Sequence, residues 1–329
     1  MTSTAGPQDA SPGGALPQRR LLPLPEPGQQ PIDALPGETL LAGQFQLSVR
    51  RTADESADRD AESAVYVHGL GGAATNWTDL MYALSRRLRG AAVDLPGFGY
   101  SPPPSDGRFS LHSHVAAVAA LIEAQGQPAH VFGNSMGGAI VTVLAAQRPE
   151  LVRSVTLVAP ALPGYRALSG HVMLFRGLLE PVRERVSGGR ASNYAESPQQ
   201  FAQMLTELVF ADPTSLHPAR RAEMESEIRR RGSLPYVRDA FSQSLVSLLQ
   251  GYLPGPGNLW RSARRVLAPT LAILGSEDRL VDVGVGARIA RNFRHSRVVI
   301  ESDLGHVPQM ERPHAVAALV ADRLDELAT

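Results

Sequence analysis

The run Gly133-Asn134-Ser135-Met136-Gly137 sets a serine between two glycines. A serine hydroxyl attacks a carbonyl only when a base removes its proton and when it stands clear of the backbone, as on a sharp strand-to-helix turn. The neighbouring sequence supplies that setting. The apolar run His130–Phe132 leads into the turn, and a helix-period segment over 136–148 follows it. Glycines are needed there because side chains would strike the adjoining strand and helix backbone. A bare Gly-x-Ser-x-Gly can be a turn without chemical role. The strand-turn-helix setting instead makes Ser135 the candidate nucleophile.

Its base must come from elsewhere in the chain. Of nine histidines, His306 follows the short apolar run Val298–Ile300 and precedes the final helical segment. Parallel strands share one carboxyl edge, so a loop after such a run opens toward the serine. His112, His114, His171 and His217 fall in helical or inserted segments instead. An acid must then orient the imidazole and stabilise its charged form. Asp278, in Gly275-Ser276-Glu277-Asp278-Arg279 after the run Leu271–Leu274, holds the required place; Glu277 and, less well placed, Asp303 are its rivals. Charge developing on the substrate oxygen needs backbone donors. The tight loop His68-Gly69-Leu70-Gly71-Gly72 offers the Leu70 N–H, and the turn itself offers the Met136 N–H. His68 reads as structural, bonding within its own loop. The loop has neither the Gly-x-Gly-x-x-Gly spacing nor the Lys-Ser/Thr of a phosphate cradle.

Short β-rich runs that alternate with helical periods position these residues. The runs are Ala64–Val67, Ala91–Val93, His130–Phe132, Val155–Ala159, Leu271–Leu274 and Val298–Ile300. Helices are expected near 77–89, 113–125, 136–148, 283–293 and 311–327. That alternation specifies an α/β fold with a buried, mainly parallel sheet and helices on both faces. Two further short strands are expected around Leu40–Leu41 and Phe45–Val49, before an acidic loop over 53–63. Between Pro160 and Pro269 no strand-like run occurs. Helical patterns such as Phe201, Met204, Leu205 and Leu208, started by Ser197-Pro198 with Gln200, fill the gap and read as an inserted cap. The expected division is a disordered tail over 1–37, a core over 38–161 and 263–329, and a helical cap over 162–262. The tail carries eight prolines, and the first aromatic residue is Phe45. A Pro-rich docking ligand is the alternative use of such a segment.

The ordered motifs resemble those of the α/β-hydrolase superfamily. They are His68-Gly69-x-Gly71-Gly72 with Trp77, Asp94-Leu-Pro-Gly97-Phe-Gly99-x-Ser101, Gly-Asn-Ser135-Met-Gly-Gly138, Gly-x-Glu-Asp278 and Gly-His306-x-Pro-x-x-Glu311-x-Pro313. The resemblance covers about residues 38–160 and 265–329 and implies a twisted, mainly parallel sheet with an inserted cap. A serine at 135 departs from the aspartate nucleophile of haloalkane dehalogenases and epoxide hydrolases. The Gly-Asn-Ser-Met-Gly-Gly turn is similar to that of meta-cleavage-product C–C hydrolases, whereas Val307 and Gly71-Gly72-Ala73 depart from their pattern. Met136 stands where proline iminopeptidases place Trp. The loop with Trp77 is closer to capped lipases and esterases. The implied activity is hydrolysis of a small hydrophobic carboxylic ester through an acyl-enzyme. C–C hydrolysis of a vinylogous diketone is the alternative. A slow-turnover ligand-binding or signalling protein on the same fold is the alternative of another class.

The chain has 329 residues, 43% of them hydrophobic, with 32 Lys+Arg against 32 Asp+Glu. Balanced charge gives no electrostatic reason to expect a nucleic acid or anionic membrane partner. The absence of cysteine excludes disulfides, thiolate metal sites and a thiol nucleophile. No His/Asp/Glu spacing suggests a metal, and no motif suggests a cofactor. No stretch reaches the roughly 18 apolar residues of a membrane span. Arg19-Arg20 precedes Leu21-Leu22-Pro23-Leu24-Pro25, too short and proline-broken for a signal peptide, so a cytoplasmic protein is expected. Met173, Leu174, Phe175, Leu178 and Leu179 could line an acyl pocket or simply pack the cap. Arg229-Arg230-Arg231 could meet an anionic substrate, though such a run is commonly a solvated helix face.

Overall fold

Alternate residues of the inner strands divide between two apolar layers. In the strand Glu62–Val67, Val65 and Val67 join one buried cluster, while Ala64 and Tyr66 join another on the opposite face. Such two-sided burial needs a sheet covered by helices on both faces. The computed structural model describes residues 21–25, 29, 31–164 and 198–329. Among them the strands are β1 (Gly37–Ala42), β2 (Phe45–Arg51), β3 (Glu62–Val67), β4 (Leu88–Val93), β5 (Ala129–Asn134), β6 (Val152–Val158), β7 (Thr270–Gly275) and β8 (Ser296–Glu301). They form one sheet in the order β1-β2-β4-β3-β5-β6-β7-β8. Every neighbouring pair from β4 to β8 is parallel, and β1 and β2 add an antiparallel edge.

Helices α2 (Leu111–Gln125) and α3 (Met136–Gln147) cover one face, and α1 (Thr78–Leu84) covers the other. Ser110 caps α2 by accepting from the Ser113 N–H, and Gly126 ends it in left-handed backbone at φ 74°. Between β6 and β7 lie α4 (Pro198–Val209), α5 (Pro218–Gly232), α6 (Val237–Gln250) and α7 (Leu259–Ala263). The chain closes with α8 (Val285–Asn292), the single turn α9 (Pro308–Glu311) and α10 (Pro313–Ala328). Helix α8 joins α2 and α3, while α10 packs beside α1.

Two expectations are corrected by packing. The helix expected over 77–89 ends at Leu84, because turn bonds from Ser85 to Tyr82 and from Arg87 to Leu84 return the chain to β4. The final helix is divided at Arg312-Pro313, where a proline ring cannot follow a continuing helix. Described residues of the Pro-rich N-terminal segment make contacts of their own. The Leu22 N–H donates to the Ala83 carbonyl at 2.9 Å, Leu21, Leu24 and Leu35 pack on the α1 layer, and β1 already starts at Gly37. Leucines between the prolines give those residues apolar surface to bury.

The inserted helices also enter the core. Ala240 and Leu248 of α6 and Leu259, Trp260 and Ala263 of α7 belong to the cluster that holds α2 and α3. Ser197 and the candidate acyl-pocket residues 173–175 and 178–179 lie outside the described residues.

Candidate active site

Strand β5 delivers Ser135 onto α3 through a turn with no spare volume. Ser135 adopts φ 52°, ψ −117°, a conformation that costs an L-residue roughly 1–3 kcal/mol. Surrounding bonds hold it there. The Ser135 N–H donates to the Val158 carbonyl at 3.0 Å, and its own carbonyl accepts from Ala161 at 2.9 Å. A Cβ on Gly137 would stand 2.1 Å from the Val67 carbonyl oxygen, and one on Gly133 would stand 2.4 Å from that of Gly137. Both glycines are required by close backbone approach.

Loops after β7 and β8 place the other two side chains at the same sheet edge. His306 Nδ1 and Asp278 Oδ2 are 2.8 Å apart, and both side chains are buried. The second carboxylate oxygen of Asp278 accepts from the Leu280 and Val281 N–H groups at 2.8 and 2.9 Å. A carboxylate can only accept, so Nδ1 carries the proton, and in the neutral ring the lone pair is on Nε2. The rival acids are placed otherwise: Glu277 is exposed and accepts from the Ser276 hydroxyl at 3.3 Å, and Asp303 is exposed. Asn134, directly before Ser135, donates from its amide to the Val158 and His306 carbonyls at 3.1 and 3.0 Å. The turn and the histidine loop are thereby joined.

The loop after β3 folds against the serine. A Cβ on Gly69 would lie 3.1 Å from Ser135 Cβ. The Gly72 N–H donates to the Gly69 carbonyl at 3.0 Å, and Gly71 at φ 75° holds the third place of the turn. That is type II geometry, which favours glycine there. His68 supports the turn from below. The Leu95 N–H donates to His68 Nε2 at 3.1 Å, so Nδ1 carries the proton and donates to the Gly69 carbonyl at 2.7 Å. Burial pushes the His68 pKa down and keeps it neutral. Asp94 ties this loop to β4, accepting from the Ala74 N–H at 2.7 Å and from the Ser48 hydroxyl and Tyr100 N–H at 2.9 Å. Among the described residues, the Leu70 and Met136 N–H groups have no protein acceptor.

Inserted helices grip both loops. The His306 N–H donates to the Val209 carbonyl at 2.7 Å, and Glu311 accepts from the Gly305 and Ala211 N–H groups at 2.8 Å each. Burial raises the Glu311 pKa against those bonds. The arginine run on α5 is divided in its contacts. Arg229 is exposed, the Arg230 guanidinium lies 3.8 Å from the Tyr100 ring centroid, and Arg231 donates to the Gly71 carbonyl. A wholly solvated face is therefore not what this run forms. Asn134 and Glu311 lie inside quoted motifs without an evident role there, and Arg231 lies in an arginine run whose spacing does not point to Gly71. Among the described residues no three His, Cys, Asp or Glu side chains are grouped to hold a metal, and no helix is long and apolar enough to cross a membrane.

Comparison with known proteins agrees with this architecture. The family model described as alpha/beta hydrolase fold matches residues 65–313. A pimeloyl-[acyl-carrier protein] methyl ester esterase of Neisseria meningitidis serogroup C is 28% identical over 276 residues, 83% of this chain and 98% of that protein. The monoacylglycerol lipase abhd6-B of Xenopus laevis is 25% identical, over 80% of this chain and 76% of that protein. Among solved structures, the 2-hydroxy-6-oxo-6-phenylhexa-2,4-dienoate hydrolase of Rhodococcus sp. strain RHA1 superposes with a TM-score of 0.70 at 22% identity, covering 88% of this chain and 99% of that one. The chain belongs to the α/β-hydrolase fold family.

Proposed function

We propose that this protein is a serine hydrolase that cleaves a carboxylic ester, or a related acyl bond, of a small hydrophobic substrate. The buried His306–Asp278 pair, joined through Asn134 to the strained turn of Ser135, carries the reading. The esterase and lipase relatives support the same bond class. Ser135 Oγ attacks the ester carbonyl carbon while its proton passes to His306 Nε2. The carbonyl electron pair moves onto oxygen, which the Leu70 and Met136 N–H groups receive. Collapse expels the alcohol, which takes the proton back from His306 and leaves an acyl-serine. Water, deprotonated by His306, repeats the attack and releases the carboxylic acid. Asp278 keeps the imidazole in its Nδ1–H form throughout. The inserted helices form the cap that excludes water and selects the acyl group. A cytoplasmic location completes the proposal, and cell fractionation tests it.

A panel of p-nitrophenyl esters beside a ring-fission dienoate tests the bond class, with a fluorophosphonate label reading the reactivity of Ser135. Ester turnover lost in Ser135→Ala is the expected result. Faster turnover of the dienoate would favour C–C hydrolysis, the reading that the Gly-Asn-Ser-Met-Gly-Gly turn supports. An unlabelled Ser135 would favour a binding role.

A further inference from the structure

Helix α5 runs antiparallel to residues 71–79, and three of its polar side chains reach partners four residues apart. Arg220 bonds both carboxylate oxygens of Asp79, at 2.7 and 3.2 Å. Glu227 accepts from the Thr75 hydroxyl at 2.7 Å. Arg231 donates to the Gly71 carbonyl. Positions 220, 227 and 231 lie seven and four apart, so they share one face of α5. As the α5 numbers rise, the partners 79, 75 and 71 fall, and the last rung lands on the turn that carries Leu70.

Two peptide units then connect Arg231 to that residue. The Gly71 carbonyl accepts from Arg231, and the N–H of the same peptide, on Gly72, donates to the Gly69 carbonyl at 3.0 Å. The Gly69 carbonyl belongs in turn to the peptide whose N–H is that of Leu70. In a trans peptide the C=O and N–H point in opposite directions. The two dipoles are therefore in series between a guanidinium and the Leu70 N–H. Hydrogen bonds so linked strengthen one another, most of all when a charge stands at the end of the row. Glu227 and Thr75 hold α5 at this distance, and Phe241 of α6 covers the outer side of Gly71.

We propose that Arg231 is a positioning residue for ester hydrolysis, orienting and polarising the Leu70 N–H through the Gly71–Gly72 and Gly69–Leu70 peptides. This rests on the proposed serine-esterase reading, in which Leu70 receives the oxyanion. The arginine thus acts on the transition state without touching substrate, and it assigns part of α5 to catalysis rather than to acyl selection.

The test compares Arg231→Met, Arg231→Gln and Arg231→Lys with the parent on p-nitrophenyl butyrate, and measures inhibition by an alkyl trifluoromethyl ketone. That ketone adds to the serine and presents a tetrahedral oxyanion. Arg231→Met is expected to lower kcat by about ten- to a hundredfold, since deleting a whole oxyanion donor costs about 10²–10³. KM stays within about threefold, as expected for an interaction made in the transition state. The ketone weakens by the same factor as kcat/KM. Arg231→Lys, which keeps the charge, recovers more than Arg231→Gln. Thermal melts verify folding, and if the Met variant unfolds, the Lys against Gln order decides. Unchanged kcat and ketone affinity, or a raised KM with kcat held, overturns the proposal. Activity retained in Ser135→Ala overturns the esterase reading beneath it; full activity in Arg231→Met beside an inactive Ser135→Ala overturns the relay alone.

Discussion

Asn134 uses both hydrogens of its side-chain amide, one on the Val158 carbonyl and one on the His306 carbonyl, from the position directly before Ser135. One buried residue thus joins the end of β6, the turn at Ser135 and the histidine loop. Asn134→Ala leaves the buried His306 carbonyl without a donor, while the Val158 carbonyl keeps the Ser135 N–H, and the expected loss is about 1–3 kcal/mol. Asn134→Asp should be worse, because a carboxylate would face both carbonyls. Urea unfolding measures the first effect and ester kinetics the second; kcat is expected to fall in both variants as the histidine loop loosens.

The acid can be separated from its rivals by three isosteric changes. Asp278→Asn should lower kcat by about 10⁴, because the amide no longer selects the Nδ1–H tautomer. Glu277→Gln and Asp303→Asn remove exposed charges that do not meet the ring and should stay within about twofold. A comparable loss in Glu277→Gln would reassign the acid.

Gly137→Ala tests the packing of the turn. The new Cβ would lie 2.1 Å from the Val67 carbonyl and 2.8 Å from that of His68, both backbone atoms that cannot swing aside. The expected cost is about 3 kcal/mol or more, read as loss of soluble protein or of melting temperature. At Gly257, where a Cβ meets nothing within 4 Å, the same substitution should change stability by less than about 0.5 kcal/mol.

Stability should fall on mild acidification, and His114 supplies part of the slope. The Ser244 hydroxyl donates to the Phe109 carbonyl, so it accepts from His114 Nε2 at 2.9 Å, which leaves Nδ1 bare and buried. Burial lowers the His114 pKa to about 3, and burial also lowers that of His130. A histidine depressed in the folded state is protonated first in the unfolded chain. Its stabilisation is present above the ordinary histidine pKa and is lost as pH falls from about 6.5 toward the folded value. In His114→Gln the dependence of unfolding free energy on pH should flatten by about 1.4 kcal/mol per unit between pH 6 and 4. Chemical unfolding at stepped pH measures it; a slope equal to that of the parent would refute the assignment.

The sheet was legible because its strands are short apolar runs bounded by turn residues. All six of the runs read from Ala64 to Ile300 fall in strands or reach one residue past a strand end, as Ala159 does after β6. Ser135, Asp278 and His306 could be named because each follows such a run. The helix ends were less legible. Leu84 and Leu88 keep helical spacing across a turn that only tertiary bonds reveal. The packing of Leu21 and Leu24 was hidden by the prolines around them, and the role of Arg231 by two neighbouring arginines that do something else. Partners contributed by a distant helix leave no local periodicity to read.

The rungs from α5 to residues 71, 75 and 79 bear on how such inserts can be exchanged between members of the family. A foreign insert grafted onto this sheet would bring its own acyl preference but would meet Gly71, Thr75 and Asp79 without their partners. Such a chimera would fold with its Ser135 turn complete and its neighbouring loop slack. Transplanting breadth of substrate without loss of rate would require moving both sides of the seam at once.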